Sequence, residues 1–200
     1  MRYISVDTET TGLNKEKCQI IEIAVVYDDT ENPQDINVCP YFHCLIQHPL
    51  YCWEPVAYQM NKVLFEEILK TKTKIIDTLD LHYINFYQQW SGVLDPENVG
   101  RALKQWLKSI KYDSPYIVAG KNYGSFDLGF LEKLPSFENH VKLPHRHLDP
   151  GSWFVDVKDV RIPDLAECKK RAKLPEKVNH RALDDARDVV LLTRQYYGIK

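Results

Sequence analysis

Apolar positions change period along the chain, and each change predicts a different class of element. Ile4 to Val6 make a short apolar run that ends at acids. CQIIEIAVVYDD (18–29) is strongly β-prone, and a period of two puts Ile21, Ile23 and Val25 on one face. TENPQD predicts a turn, and NVCPYFHCLI (37–46) a third strand in which Pro40 marks an edge or a bulge. Three strands joined by short turns imply an antiparallel meander. Helical spacing then takes over, first across 56–69. Asp95-Pro96 opens a helix in which Val99, Leu103, Trp106, Leu107 and Ile110 recur at helical intervals. PYIVAG (115–120) is an apolar strand, and FDLGFLEKL opens a helix directly after it. A loop rich in Pro and His (135–151) follows, then helices over 163–172 and 181–197.

The stretch 71–95, with its aromatic run LHYINFYQQW, fits helix or strand and is taken as an insertion packed on the core. An aromatic platform for stacking bases is the sharper alternative. The order βββ, α, α, β, α, α, α predicts an α/β fold with a mixed sheet flanked by helices. Two hundred residues suit one domain, 1–200, without disulfides or a structural metal. No apolar run approaches a membrane span, and MRYISVDTE predicts a strand rather than a secretory signal. A cytoplasmic protein is therefore expected.

Composition alters this picture at two points. The five cysteines are odd in number and lack CxxC spacing, which suits reduced thiols. Cys39, Cys44, His48 and Cys52 have the residue types of a zinc site, but small buried thiols on a strand are the plainer reading. Net charge is −2, unevenly spread: residues 1–140 carry 13 Lys+Arg against 19 Asp+Glu, and residues 141–200 carry 13 against 9. No broad basic surface of the kind that grips long duplexes is present. The balance suits a grip on a few nucleotides at an end, with cations neutralising the acids.

Those acids fall in three patterned segments. In VDTET, Asp7 and Glu9 are two apart on an extended segment, so both carboxylates point to one side. Two acids so placed repel, and a divalent cation relieves the repulsion. Gly12 then lets the backbone approach a ligand closely. In IVAGKNYGSFD, Asp127 follows a buried strand, where α/β proteins place ligands, although alone it reads as a helix cap. In NHRALDDAR, Asp185 on the last helix sits near His180 in the turn before it, while Asp184 points about 100° away. A lone histidine there reads as a cap or surface group. Beside acids it is a natural general base, because histidine changes charge near neutrality.

The set D-x-E, N-x-x-x-x-D and H-x-A-x-x-D resembles the DEDDh exonucleases, a branch of the RNase H-like superfamily that includes oligoribonuclease and polymerase proofreading subunits. The similarity runs from residue 3 to 195, is specific at the three motifs and is thin between 62 and 98. Leu13 after TTG, Ala57 and Asn61 in EPVAYQMN, and the segment PDLAECKKRAKLP also match. The resemblance implies an RNase H-like exonuclease fold with a five-stranded mixed sheet, and two Mg²⁺ or Mn²⁺ ions. By it, Asp7 bridges both ions, Glu9 and Asp185 complete one site, and Asp127 supports the other. His180 takes a proton from the water attacking the terminal phosphodiester. A 3′→5′ exonuclease releasing nucleoside 5′-monophosphates from single-stranded DNA or RNA is the implied activity. Oxygen ligation favours Mg²⁺ or Mn²⁺ over zinc.

The resemblance also implies that backbone around Thr10 and Gly12 holds the 3′-terminal nucleotide. Leu13 would wedge against a base, and Asn61 and Asn122 would contact sugar or phosphate. Leu13 also reads as an ordinary half-buried side chain, and Asn122 as fixing its own turn. Many family members carry His before the motif-II Asn; here Lys121 stands there, which alters substrate grip rather than catalysis. His145, Arg146 and His147 read as a solvated loop with phosphate contacts as the alternative. Two other readings stay open: an enzyme for very short oligonucleotides or nucleotide second messengers, and a non-catalytic module binding nucleic acid or protein. A homodimer through the aromatic stretch 81–90 is a further expectation.

Overall fold

The computed structural model describes residues 1–71, 88–175 and 180–199. Three strands come first: β1 (Arg2–Thr10), β2 (Ile20–Asp29) and β3 (Tyr41–Ile46). They form the expected antiparallel meander, and Pro40 lies just before β3, where its missing N–H costs no ladder bond. The helical stretch at 56–69 divides into α1 (Pro55–Met60) and α2 (Lys62–Lys70), broken at Asn61. Next come β4 (Gln89–Leu94), α3 (Pro96–Ser109) and the two-residue β5 (Val118–Ala119). The chain continues with α4 (Asp127–Leu131), α5 (Phe137–His140), α6 (Pro150–Trp153), α7 (Leu165–Arg171) and α8 (Ala182–Tyr197).

The sheet order is β4-β3-β2-β1-β5, with β4 parallel to β3 and β5 parallel to β1. A single bridge from Ala119 to Leu148 extends it beyond β5. β4 lies within the stretch 71–95, so at least its end belongs to the sheet. Trp90 on β4 is buried and stacks on Phe42 at 4.8 Å, so this residue of the aromatic run serves the core and not a base platform. Residues 81–87, the rest of that run, lie outside the described residues.

The two sheet faces carry different layers. Ile4, Val6, Ile23, Val25 and Phe42 pack against α3 through Val99, Leu103, Trp106 and Leu107. Burying each such side chain stabilises the fold by about 1.5–3 kcal/mol. Tyr3, Ala24 and Val26 face α8, meeting Ala182, Ala186, Val189 and Val190. Small residues on this second face let α8 lie close to the strands.

Ile21 departs from the expected face. It packs with Leu45, Leu64, Ile68 and Val93 beside α2, not with Ile23 and Val25. The cause is a bulge: Glu9 pairs with Glu22 and Thr10 with Ile20, leaving Ile21 as the extra residue. An extra residue reverses a period-two alternation beyond it. Cys44 and Cys39 fall in separate clusters, and the His48 ring bonds the Ile20 carbonyl at 2.7 Å, so the set weighed for zinc is not brought together. Among the described residues no helix is long and apolar enough to cross a membrane.

Candidate active site

Three elements bring the acids of the three motifs to one place. Asp7 and Glu9 share the face of β1 that α8 covers, since their partners across the ladder are Ala24 and Glu22. Asp127 is the first residue of α4, and Asp185 lies in the first turn of α8. His180 precedes α8 with φ +50°, a left-handed conformation uncommon outside glycine. Ligand atoms of Glu9, His180 and Asp185 all lie within 4.8 Å of one another. Asp127 is buried and accepts a 2.6 Å hydrogen bond from the Thr8 hydroxyl.

Burial and crowding leave these carboxyls poorly matched to the ionised state. Asp7 is held well above the usual carboxylate range by burial, then by Asp127, Asp185, Glu9 and Glu22. Burial also pushes Glu9 up to about 7, against a hydrogen bond from Asn61. Asp127 reaches about 7 through burial, opposed by its Thr8 bond. Asp185 reaches about 7 through burial and then Asp188, with Lys169 pulling the other way. Two unit charges 4.8 Å apart repel by about 3 kcal/mol at an effective dielectric constant of about 20. One oxygen of Asp185 is also buried with no hydrogen-bond donor among the described residues. An orphaned, buried carboxylate oxygen is costly unless a cation takes it. The donor set therefore fits hard divalent cations.

A pH effect follows from these shifts. Raised carboxyls bind protons more readily in the folded chain than in the unfolded one. Metal-free stability should therefore fall as pH rises from about 5 to about 8, where the unfolded chain has already released those protons. Mn²⁺ or Mg²⁺ should reverse the loss at the upper end by binding the folded form. Thermal melts with EDTA and with each ion, at several pH values, test both statements.

The other sequence candidates surround this cluster unevenly. Asn61 is buried, with its amide donating to the Thr10 carbonyl at 3.2 Å and its own oxygen without a described partner. The Thr10 hydroxyl donates to the Gly12 carbonyl at 2.7 Å. A Cβ on Gly12 would come within 2.5 Å of Glu54 and 2.7 Å of Cys18, so the glycine admits protein on that side. Leu13 stands 78% exposed beside this turn. Asn122 has φ +60°, and its side-chain oxygen accepts from Lys121 at 2.7 Å. Lys121 also pairs with Asp149, turning inward toward its own turn. His145 and Arg146 are exposed, while His147 packs edge-on against Tyr123.

Three residues not singled out from the sequence support the site. Glu54 accepts the backbone N–H groups of Leu13 and Asn14, fixing the turn after β1. Lys169 on α7 is buried against Asp188, one helical turn beyond Asp185. Glu22 is fully buried and bonds residues at the start of α8. Its signal was an acid inside an unbroken apolar run, IIEIAVV.

No protein-family model matches the sequence, and no curated protein matches it. Solved structures do match. Cell-death related nuclease 4 (CRN-4) superposes with a TM-score of 0.66 at 13% identity, over 98% of this chain and 64% of that one. Exonuclease I of E. coli, in complex with a dT13 oligonucleotide, gives 0.64 at 12% identity over 99% of this chain. The chain has the RNase H-like exonuclease fold. A moderately thermophilic exonuclease I from Methylocaldum szegediense agrees, at a TM-score of 0.61 and 13% identity over 97% of this chain. The chain spans 41% and 40% of the two exonucleases I, so it matches a part of each. Within the RNase H-like exonuclease fold of this chain, the acids of all three motifs gather where β1 meets α4 and α8.

Proposed function

We propose that this chain is a metal-dependent 3′→5′ exonuclease of the DEDDh kind, acting on single-stranded ends or short oligonucleotides. The observation that carries the reading is the crowded acid cluster, in which ligand atoms of Glu9, His180 and Asp185 lie within 4.8 Å of one another and one Asp185 oxygen is orphaned. Asp7, Glu9, Asp127 and Asp185 would hold two Mg²⁺ or Mn²⁺ ions. Such a pair, when bound, neutralises charge on the entering and leaving oxygens of an in-line displacement. His180 is exposed at the edge of the cluster, open to solvent, and would accept the proton of the attacking water. The Thr8 hydroxyl fixes one Asp127 oxygen.

The substrate class rests on α1. None of its residues is buried, yet it carries Val56, Tyr58 and Met60 with large exposed faces, and Leu13 adds a fourth. A helix with no buried residue that presents apolar faces beside the turn after β1 suits unstacked bases. Glu54 and Asn61 at its two ends tie it to the turn after β1. Nucleoside 5′-monophosphates are the proposed products, and the structure of exonuclease I with dT13 is in keeping with a single-stranded substrate.

The test uses 5′-labelled single-stranded DNA and RNA of matched sequence, with Mg²⁺, Mn²⁺ or EDTA. A metal-dependent ladder shortening from the 3′ end is expected, and the faster ladder names the preferred sugar. No cleavage of strands or dinucleotides with either ion would overturn the reading.

A further inference from the structure

Glu22 lies on β2 directly across from Glu9, on the face covered by α8, and its side chain is fully buried. One carboxylate oxygen accepts the backbone N–H of Ala182, the first residue of α8, at 3.0 Å. The other accepts from Arg181 Nε at 3.0 Å and bonds His43 Nε2 at 2.7 Å. Arg181 in turn pairs with Glu67 of α2 at 3.1 Å, and His43 Nδ1 meets the Ser91 hydroxyl at 3.2 Å. A buried carboxylate with this many donors is firmly placed, because charge-assisted bonds are short and strong.

The residues it grips are the two that follow His180. His180 holds φ +50°, which persists in a non-glycine residue only where the surroundings over-determine it. Asp185 lies one turn further along α8, and its backbone N–H bonds the Arg181 carbonyl at 3.0 Å. Arg181 and Ala182 are thus the joint between His180 and Asp185, and Glu22 fixes that joint to the strand carrying Asp7 and Glu9 through their shared ladder.

We propose that Glu22 is a positioning residue for the site: it registers His180 and Asp185 against Glu9 and touches no substrate itself. This rests on the exonuclease reading for its catalytic consequence, but the geometry it assigns has a separate readout. Glutamine at 22 keeps the shape but cannot accept from Ala182, Arg181 and His43 alike. The arrangement at His180 then loosens.

The test measures kcat, KM and Mn²⁺ affinity, the last by electron paramagnetic resonance without substrate, for wild type, Glu22→Gln, His180→Ala and the double variant. Glu22→Gln is expected to lower kcat by about 10- to 100-fold with KM within about threefold, and to weaken Mn²⁺ binding severalfold through Asp185. At saturating Mn²⁺, which offsets the loss through Asp185, the same change in the His180→Ala background should cost roughly threefold or less in kcat, because residues acting as a unit are not additive. Arg181→Gln removes one arm of the clamp and should show the same pattern more weakly, which keeps the test open if Glu22→Gln fails to fold. Full additivity with His180→Ala, or kcat and Mn²⁺ affinity within about twofold of wild type, would overturn the positioning role. If wild type cuts nothing, the exonuclease reading fails, and Mn²⁺ affinity alone decides for or against Glu22.

Discussion

Asp7→Ala should abolish strand shortening while leaving the metal-free protein as stable as wild type or more so. Asp7 is the acid most crowded by others, with Asp127, Asp185, Glu9 and Glu22 all acting on it. The family resemblance implies that Asp7 would serve both cations, so its loss would weaken both sites together. A fall in rate of about four orders of magnitude or more is expected, as for removing one member of a group that acts as a unit. Stability runs the other way. Deleting Asp7 removes a buried acid whose charge is disfavoured by burial and by its acidic neighbours, whereas alanine's poorer strand propensity costs about 1 kcal/mol or less. Activity on labelled single strands and melting in EDTA read the two effects independently. Lost activity with a melting point several degrees lower would instead mark Asp7 as part of the structural core. Asp7→Asn serves as a shape-preserving control and should lose activity equally.

The placement of these acids is legible in the strand pattern. Period two places Asp7 and Glu9 on one side of β1, and the structure has both on the face toward α8. The α3 repeat and the last helix read directly from apolar spacing, because each buries one stripe. β4 did not read, since QWSGVL has a glycine and an exposed serine where alternation would be expected. Its place is set by pairing with β3, a contact that no local pattern encodes. The bulge at Ile21 was hidden for the same reason: it exists only relative to β1. Glu22 shows the limit most plainly. A lone acid in IIEIAVV signals something buried and polar, but its partners Arg181 and Ala182 are 159 and 160 residues away. The cluster motifs were local and readable, whereas the side chains that hold them in register are brought together by the fold.

His180→Ala should slow hydrolysis by about 10²–10⁴-fold, the range for losing a general base, with little change in cation binding. The separation is expected because four carboxylates, and not the imidazole, would carry the cations in this reading. The backbone complicates the choice of variant. His180 sits at φ +50°, where alanine is disfavoured by about 1 kcal/mol, so His180→Ala mixes a lost base with a strained turn. Asparagine tolerates that region better and offers no base of comparable strength. His180→Asn should therefore match His180→Ala in lost kcat while melting nearer to wild type. Single-turnover cleavage, which isolates the chemical step from product release, is the decisive measurement. Activity preserved in His180→Asn but lost in His180→Ala would assign the effect to the turn that Glu22 braces, and would remove the imidazole from proton transfer. Equal loss in both, with Mn²⁺ affinity held, would place the proton on His180.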